Sequence, residues 1–509
     1  MKIISIGTDR KIFEENSAVR QRQITYGKFF DELHLVVFTP NDLKFQNQKL
    51  SSNVFLYSTK SKTKILYFFD FLRIIRKILK NSKRDDIVLT CQDPFEMGLI
   101  GVFTKLIYDL PLHIQIHTDF MHKYFWQSSA LNKARFLMAE FVIKYSNRVR
   151  TVSERVGKSI NPFSENIDVL PIMDKIKIGS DEEIEKPFPF TLLMVCRLEK
   201  EKNIETILYA LKNLEEKNIG LCLVGDGSQK SDLEKMAKNM SILDKVIFVG
   251  WQNNLAPYYK VADAFISASL YEGYGISTVE AAYFGKPLIL SETGVAEEIF
   301  KAGKSAFVCD AKDSSCFVQS VLSLYQDKNL TQEMGQSAKM AADAHLNSKE
   351  DYFREYATSI IKTADSFRKK NFILRAFDFK KIAFDSFIVL RYFICGITSA
   401  GILVGSLYIF TDIAGIWYLY SSILAFFLSL IVSFILQKFV VFRDMKTGGI
   451  SHQFSKFFIA AISSLTSNTI VMFVLVDVFG IWYILSQIIT GALVMFQNFA
   501  FYKFLIFKK

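Results

Sequence analysis

The residues whose types and spacing are best suited to binding and catalysis are 271–280, Tyr-Glu-Gly-Tyr-Gly-Ile-Ser-Thr-Val-Glu. Glu272 and Glu280 are eight positions apart, and between them a Gly-x-Gly turn precedes a helical pattern. Glycine lets backbone approach a ligand closely, and a helix N-terminus favours an anion. With one acid in the loop and one a turn or two into the helix, the two could hydrogen-bond different sugars of one ligand.

A second charged segment, residues 197–203, directly follows the apolar run Phe190–Cys196. Arg197 and Lys202 lie where a strand gives way to a helix, so we expect both to project into a cleft. Two cations there can neutralise a diphosphate leaving group without a metal ion. No Asp-x-Asp element stands where it could hold Mg²⁺ or Mn²⁺. The sequence Gly225-Asp226-Gly227, at another strand end, is a weaker signal.

These motifs need a scaffold, and the spacing of apolar runs predicts one. Short apolar runs typical of buried parallel strands alternate with helical patterns, which predicts doubly wound α/β domains. The series starts again after the acidic, proline-containing segment Asp181–Pro189, so two such domains with a cleft between them are expected. The predicted strands are Ile3–Ile6, Leu33–Phe38, Ile87–Thr90, Leu112–Ile116, Phe190–Cys196, Leu221–Val224, Val246–Val249, Ala264–Ser267, Pro287–Ser291 and Ala306–Val308.

The composition changes near Val389, where long apolar segments begin. Each is about 20 residues long, enough to span a bilayer. Lys and Arg cluster before the first segment, between the second and third, and after the fourth, whereas the other two loops carry Asp412 and Asp477 without Lys or Arg. The positive-inside rule then places both termini and the α/β domains in the cytoplasm, as a multi-pass protein of the cell membrane. The segments are Val389–Phe410, Trp417–Lys438, Phe454–Val476 and Ile481–Tyr502.

The apolar part contains an internal repeat with an offset of 65 residues, since 480 − 415 = 65. Gly-Ile-Trp-Tyr at 415–418 recurs at 480–483, and the same shift takes Lys438 to Lys503. The repeat predicts two helical hairpins related by an axis along the membrane normal. Polar residues within the spans, such as Ser464 and Asn498, serve either as contacts between helices or as a polar path for a lipid headgroup.

The ordered motifs of residues 1–365 resemble the GT-B glycosyltransferases, specifically the retaining family 4. The resemblance implies that Arg197 and Lys202 bind the diphosphate of a UDP- or GDP-sugar donor, that Glu272 contacts the donor sugar, and that Glu280 binds the ribose. It implies no cofactor and no metal, because the nucleotide diphosphate sugar is itself a substrate. The other donor-side residues it implies are Gly225, Asp226, Gly273, Tyr274 and Gly275.

The same resemblance carries over to the first domain. Gly7 and Thr8 would form the N-terminal glycine loop near the reacting sugar, and His117 matches the family's cleft histidine, which with Glu272 would position the donor sugar. A plain turn at Gly7 and a buried, hydrogen-bonded histidine remain the alternatives. The chain departs from the family in having one glycine in the first loop and in lacking Asn-Gly in residues 169–174.

The apolar part resembles the GtrA-like four-helix membrane proteins, through Arg391-Tyr392-Phe393 and Gln437–Phe442. This implies a lipid or polyprenyl-phosphate-linked acceptor. We therefore predict four regions, 1–172, 173–365, a basic linker 366–388, and 389–509. The expected activity is retaining transfer of a hexose to a lipid-linked or cell-surface acceptor. The alternatives are a translocator of lipid-linked sugar and a degenerate transferase that acts as a scaffold, although the intact cationic pair and both acids disfavour the scaffold.

The net charge of +11 and the basic residues beside the apolar segments indicate an anionic membrane as a partner. No zinc-finger, RNP or basic-zipper pattern occurs, which argues against nucleic acid. The basic, aromatic segment Phe68–Arg84 predicts an amphipathic helix that either faces a membrane or packs on its own sheet. The six scattered cysteines are expected to be small apolar filler in a reducing compartment.

Overall fold

The computed structural model describes residues 1–63, 66–80, 86–172, 182–214, 217–345 and 349–374, and C-terminal residues 392, 395–396, 398–399, 401–442, 450–475, 490, 493–494, 497–498 and 501–502. The chain divides into two compact units, Met1–Ile373 and Leu374–Lys509. The first unit contains two sheets, each with its own helices. We call these the first lobe and the second lobe.

The first lobe is built on an eight-stranded sheet of order β3-β4-β2-β1-β5-β6-β7-β8, parallel except for the β3–β4 pair. Its elements are β1 Lys2–Gly7, α1 Ala18–Gly27, β2 Glu32–Val37, β3 Gln48–Lys49, β4 Val54–Ser58, α2 Tyr67–Leu79, β5 Ile87–Cys91, α3 Glu96–Tyr108, β6 Leu112–Ile116, α4 Lys123–Gln127, α5 Ala130–Tyr145, β7 Arg148–Thr151, α6 Glu154–Ile160 and β8 Ile167–Val169.

The second lobe has a six-stranded parallel sheet of order β11-β10-β9-β12-β13-β14. Its elements are β9 Phe190–Val195, α7 Ile204–Lys212, β10 Ile219–Val224, α8 Lys230–Asn239, β11 Val246–Gly250, α9 Ala256–Val261, β12 Ala264–Ser267, α10 Ile276–Tyr283, β13 Leu288–Ser291, β14 Ala306–Cys309, α11 Ser314–Gln326 and α12 Lys328–His345. The prediction of two Rossmann-like domains is thereby confirmed.

Helix α13, Lys349–Leu374, follows the second lobe in sequence but packs on the first. Tyr352, Phe353, Tyr356 and Ile360 are buried in one cluster with β1, β2, β4 and α1. Opposite, α2, α3 and α5 cover the other face of this sheet, and Phe71 and Ile75 are the buried side of α2. The predicted boundary between residues 365 and 366 falls within α13, and the four predicted regions stay predictions.

The expectation that all six cysteines are reduced filler is wrong for two of them, because Cys309 and Cys316 form a disulfide. Strand β14 ends at Cys309 and α11 begins five residues later, so the short turn brings the two Cα atoms to 5.8 Å, within the range a disulfide requires. The other cysteines fit the expectation better, since Cys91, Cys222 and Cys395 are buried and Cys196 is half-buried.

The second unit is helical where it is described. Helix Tyr418–Ile435 continues as a π-helix over Leu436–Val441, and Ile450–Phe473 forms another helix. Among the described residues, one helix, Ile423–Val441, has the length and composition needed to cross a membrane. Most of the fourth predicted span, the repeat positions 480–483 and Lys503 lie outside the described residues, whereas residues 401–410 of the first predicted span are helical.

Polar side chains of this unit contact one another. Gln497 donates to Ser463 Oγ at 3.3 Å, and Ser464 donates to Asn498. The buried Lys438 donates to Gln453 Oε1 at 2.7 Å. These contacts favour helix–helix hydrogen bonding for the polar residues within the spans. The predicted placement of Lys438 at a cytoplasmic helix end stays a prediction.

Candidate active site

Chain segments that follow the carboxyl ends of β9, β12 and β13 meet in the second lobe. Because neighbouring parallel strands end at one edge of a sheet, their loops converge there. The turn after β9 is held to the loop after β12, since Leu270 N donates to Glu201 O at 2.8 Å. Asn203 adopts a left-handed conformation, and its side chain donates to Ala268 O at 3.1 Å and to Ala311 O at 2.5 Å. These bonds fix the positions of the charged residues in the turn.

The ion pair of Lys202 and Glu272 lies at this junction. Lys202 Nζ is 2.9 Å from Glu272 Oε1, and the two side chains are 13% and 23% exposed. A partly buried pair interacts more strongly than a fully exposed pair because water screens it less. The structure therefore brings together two of the four charged residues that the sequence analysis singled out, from motifs 70 positions apart.

Arg197 has a different environment. Its side chain is 68% exposed, and its guanidinium is 2.8 Å from Glu201 Oε1. Burial raises the pKa of the neighbouring Cys196 thiol to about 12, and among the nearby charges Lys202 lowers this pKa, whereas Glu272 and Glu201 raise it. The motif charges thus surround one half-buried cysteine. Sequence analysis does not single out Glu201, although its i,i+4 spacing from Arg197 could have signalled the pair.

Two positions in the 271–280 segment require glycine. At Gly273 the reason is the close approach of another backbone segment, and at Gly275 it is the backbone conformation. A Cβ at Gly273 would lie 2.0 Å from the carbonyl oxygen of His117, which belongs to the first lobe. Gly275 has φ +98° and directly precedes α10. Ser153 Oγ of the first lobe donates to Gly273 O at 2.7 Å. The glycine turn is therefore one of the points at which the two lobes touch.

A cavity of about 220 Å³, open to solvent, adjoins this turn and the N-terminal end of α10. Backbone N–H groups at a helix N-terminus favour an anion. Glu272, Tyr274 and Gly275 line the cavity together with seven further residues of the second lobe. These are Ser267, Thr278, Leu290, Ser291, Thr293, Val295 and Ala296.

Glu280 lies further along α10, where its carboxylate accepts a hydrogen bond from Tyr259 Oη at 2.8 Å. Burial, and next the Glu280 charge, hold the pKa of Tyr259 well above its ordinary value. Glu280 is not among the residues that line the cavity. Its predicted contact with ribose stays a prediction.

The Gly-rich end of β10 packs on the segment after β9. Gly225 has φ +142°, and a Cβ there would lie 1.8 Å from the carbonyl oxygen of Cys196. Asp226 is exposed, its carboxylate accepts from Gly227 N at 2.8 Å, and its carbonyl accepts from Leu198 N at 3.0 Å. These contacts support the backbone that precedes Lys202, and they give the Gly225 motif a structural role of its own.

The first-lobe candidates lie at the carboxyl ends of β1 and β6. Gly7 lines a cavity with Ser5, Gln23 and Gln92, and a Cβ at position 7 would lie 2.2 Å from Gln92 Oε1. Thr8 is exposed beside it. Gln92 Oε1 is the end of a flexible side chain, and the predicted role of Gly7 in a glycine loop stays a prediction.

The His117 ring retains an exposed surface although protein atoms enclose it closely. This enclosure, and next Arg150 and Arg22, lower the pKa of His117 well below its ordinary value. The imidazole is therefore neutral near pH 7, and it can donate one hydrogen bond and accept another. Its exposure is at odds with the alternative of a buried histidine.

Contacts between the lobes involve residues with no sequence signal. Glu298 accepts from the backbone N–H groups of Glu154 and Arg155, at 3.0 and 3.2 Å. Arg155 donates to Ala296 O at 3.0 Å and lies 3.4 Å from Glu292. The first turn of α6 thus holds the loop after β13, which forms one wall of the cavity. Among the described residues, no group of three His, Cys, Asp or Glu could hold a metal ion.

The fold and the site agree with comparisons to known proteins. Residues 179–341 match the model of glycosyl transferases group 1, and residues 391–507 match the GtrA/DPMS transmembrane domain. The chain therefore has a GT-B fold and is a family 4 glycosyltransferase joined to a GtrA/DPMS transmembrane domain. That domain and the apolar helix Ile423–Val441 associate the chain with a membrane.

Two curated relatives match long stretches of the chain. The chain is 26% identical over 310 residues to the alpha-monoglucosyldiacylglycerol synthase of Streptococcus pneumoniae, an overlap of 51% of this chain and 68% of that protein. It is 22% identical over 376 residues to the synthase of the same name from Acholeplasma laidlawii, covering 67% of this chain and 91% of the relative.

Solved structures share the GT-B fold. Sucrose-phosphate synthase from Thermosynechococcus elongatus has a TM-score of 0.59 at 15% identity, covering 70% of this chain and 98% of that one. Anabaena Alr3699/HepE in complex with UDP and glucose has a TM-score of 0.57 at 16% identity, covering 71% of this chain and 100% of that one.

Proposed function

We propose that this chain transfers a hexose, with retention, from a nucleotide diphosphate sugar to a lipid-linked or cell-surface acceptor at a membrane. The observation that carries the proposal is the half-buried Lys202–Glu272 pair, 2.9 Å apart, beside the cavity at the N-terminal end of α10. A sugar donor that carries a charged diphosphate requires a cation, a carboxylate and a helix N-terminus close together. The named activities of relatives, which include synthases of a glucosyl lipid, support a lipid acceptor.

Each charged residue has a separate role in this proposal. When a donor enters, its diphosphate competes with Glu272 for Lys202, and the freed carboxylate accepts hydrogen bonds from hydroxyls of the sugar. As the glycosidic C–O bond breaks, negative charge develops on the diphosphate. Lys202 and the N–H groups of the glycine turn stabilise that charge. Arg197 is proposed to leave Glu201 and join Lys202 on the diphosphate, and Glu280 to bind the ribose.

His117 and the first-lobe cavity form the opposite wall of the site. The neutral imidazole of His117 is proposed to position the donor sugar by hydrogen bonding, together with Glu272. Gly7 and Thr8 lie near the reacting sugar in this arrangement, and the cavity beside Gly7 receives the acceptor. The reaction takes place on the cytoplasmic side of the membrane, where both termini also lie.

A donor screen tests the proposal. The full-length chain, purified with native membrane lipids, is incubated with UDP- and GDP-sugars, and mass spectrometry follows nucleotide release and glycolipid formation. We expect one nucleotide to be released together with one new glycolipid that carries a single added hexose. Release of no nucleotide from any donor, under conditions in which the protein remains folded, would contradict the proposed function.

The alternative function is translocation of a lipid-linked sugar by the GtrA/DPMS domain, and the match to that domain is what favours it. Lys202→Met separates the two functions because it should stop transfer without altering the membrane domain. In proteoliposomes given a preformed polyprenyl-phosphate sugar, movement across the bilayer by this variant indicates a translocator. No movement, with transfer intact in the parent chain, indicates that the domain serves as an anchor.

A further inference from the structure

The outer helices of the first lobe expose large hydrophobic side chains to an unusual degree. Seven of them, on α2, α3 and α5, are 37% to 59% exposed: Leu131 in the first turn of α5 and six others. In contrast, the helices α7 to α12 of the second lobe expose two large hydrophobic side chains, Tyr209 and Met340. We call the six others together the apolar ridge. Its members are Phe69, Phe103, Leu106, Leu137, Phe141 and Tyr145.

Contacts between the helices join the ridge into one surface. The rings of Phe68 and Phe103 are 6.0 Å apart, which places α2 beside α3. Lys105 Nζ donates to the carbonyl oxygen of Tyr145 at 2.8 Å and ties the end of α3 to the end of α5. On α5, Leu137, Phe141 and Tyr145 recur every four residues, so they lie along one face of the helix.

Basic residues accompany the ridge. The three helices together contain seven Lys and Arg residues against three Asp and Glu residues. Lys77 on α2 and Lys144 on α5 are exposed. An apolar surface bordered by cations is complementary to an anionic lipid leaflet, because the apolar groups enter the interface while the cations remain at the level of the headgroups.

A stretch of chain also connects this surface to the transmembrane domain. Lys105, at one end of the ridge, lies 5.7 Å from the ring of Phe367, near the end of α13. The match to the transmembrane domain begins at residue 391, so the intervening chain is 391 − 367 = 24 residues long. Fully extended, that chain reaches at most about 80 Å. The linker therefore limits the distance between the Lys105 end of the ridge and the start of the transmembrane domain to at most about 80 Å.

We propose that the apolar ridge docks on the surface of an anionic bilayer and forms a second membrane contact besides the transmembrane domain. This contact fixes the orientation of the first lobe relative to the lipid surface. The proposal rests on the exposed side chains, the flanking cations and the linker, and does not depend on which sugar or acceptor the enzyme uses.

Quenching by lipid tests the proposal in the full-length chain. An environment-sensitive fluorophore is attached through Leu137→Cys in the ridge and, as a matched control, through Met340→Cys in the second lobe; the parent side chains are 59% and 65% exposed. The unsubstituted chain, with four free cysteines of which three are buried, supplies the background. Each protein is reconstituted into vesicles of phosphatidylcholine and phosphatidylglycerol in equal amounts that contain a doxyl-labelled lipid.

We expect the doxyl lipid to quench the label at position 137 and to leave the label at position 340 unchanged. Lys77→Glu with Lys144→Glu should weaken docking by at least about fivefold per charge, since a basic residue at such a surface contributes about that factor. Lys235→Glu with Lys238→Glu, on the exposed side of α8, should have no effect.

Two results would overturn the proposal. One is equal quenching at positions 137 and 340. The other is a label at position 137 that aqueous iodide cannot reach and that the doxyl lipid does not quench. In this case the shielding from iodide would also decrease as the protein is diluted in the vesicles. That second pattern would show that another copy of the chain covers the ridge instead of lipid. Because the transmembrane domain is retained in every variant, reconstitution itself is unaffected.

Discussion

The two lobes have related sheets but place their polar residues differently. In the second lobe the central strands are almost wholly apolar, as in β10, and the charged residues stand in the loops beyond their ends. In the first lobe polar side chains occur within the strands, with His113 and Gln115 on β6 and Arg148 and Arg150 on β7. The comparison teaches that polar residues after a strand indicate a binding site, whereas polar residues within a buried strand indicate another element that covers them.

In the first lobe that element is α13. Arg150, 2% exposed, donates to Gln115 Oε1, Leu170 O and Tyr352 Oη. His113 contacts Thr90 and Ser359, and Ser359 in turn donates to Asp168. Although Arg150 Nε has no hydrogen-bond partner among the described residues, the other bonds from β6 and β7 to α13 favour one docking position for the helix.

The largest effect is expected at the loop site of the second lobe. Glu272→Gln removes the carboxylate that pairs with Lys202 and should lower turnover by about 100-fold, because a donor sugar displaced by about 1 Å loses about that factor in rate. Nucleotide release from the donor is the measurement. Glu205→Gln, an exposed change on α7, should leave turnover unaltered. Equal activity of both variants would remove Glu272 from the site.

The next effect concerns the in-strand residues of the first lobe. Arg150→Met leaves the hydrogen-bonding groups of Gln115 and Tyr352 without their partner, and should destabilise α13 by about 3 kcal/mol. Hydrogen exchange over residues 349–366 should accelerate accordingly. Arg354→Met replaces an exposed arginine of the same helix and serves as the control. If both variants exchange at the parent rate, the network does not hold the helix.

A smaller effect tests the contact between the lobes. Arg155→Ala removes the donor to Ala296 O and should lower kcat/KM for the sugar donor by about tenfold, because the cavity wall is no longer held in place. The unfolding temperature should change little. Lys158→Ala, exposed on the same helix, should behave as the parent chain. A parallel loss of stability would mean that Arg155 acts on folding.

The smallest effect is a dependence of stability on pH. Burial, followed by Arg150 and Arg148, lowers the pKa of His113 to about 3. The folded-state pKa thus lies below the unfolded value of about 6.5, so unfolded chains take up the proton first as pH falls. Stability is full above about pH 6.5 and is lost below it, by at most about 1.4 kcal/mol per pH unit. His113→Gln should flatten thermal unfolding profiles between pH 6.5 and 5, and an unchanged slope would contradict this origin.

Much of the fold could be predicted because buried parallel strands are short apolar runs. The predicted strands at Ile3–Ile6 and Phe190–Cys196 lie within one residue of β1 and β9. The same criterion passes over β7, whose sequence Arg-Val-Arg-Thr is half charged. Arg150 is buried and Arg148 is half-buried, and α13, some 200 residues later, supplies a hydrogen-bond partner to each.

The candidate site was predictable to a similar extent. The glycine turn at 273–275 and the carboxylate of Glu272 can be found from local spacing, since a loop that cradles a ligand needs both within a few residues. Ser153 and Arg155 could not be found, because their partners belong to the other lobe and no local pattern connects them. Sequence analysis also did not reveal that Cys309 and Cys316 are bridged.

The sequence by itself determined the two α/β lobes, the charged loops of the second lobe and the apolar C-terminal part, because each depends on patterns within a few turns or strands. Only the tertiary structure decided that Lys202 meets Glu272, that α13 returns to the first lobe, and that α6 closes one wall of the cavity. Those contacts join residues as many as 326 positions apart, such as Tyr26 and Tyr352, and no local sequence pattern specifies the distance between such residues.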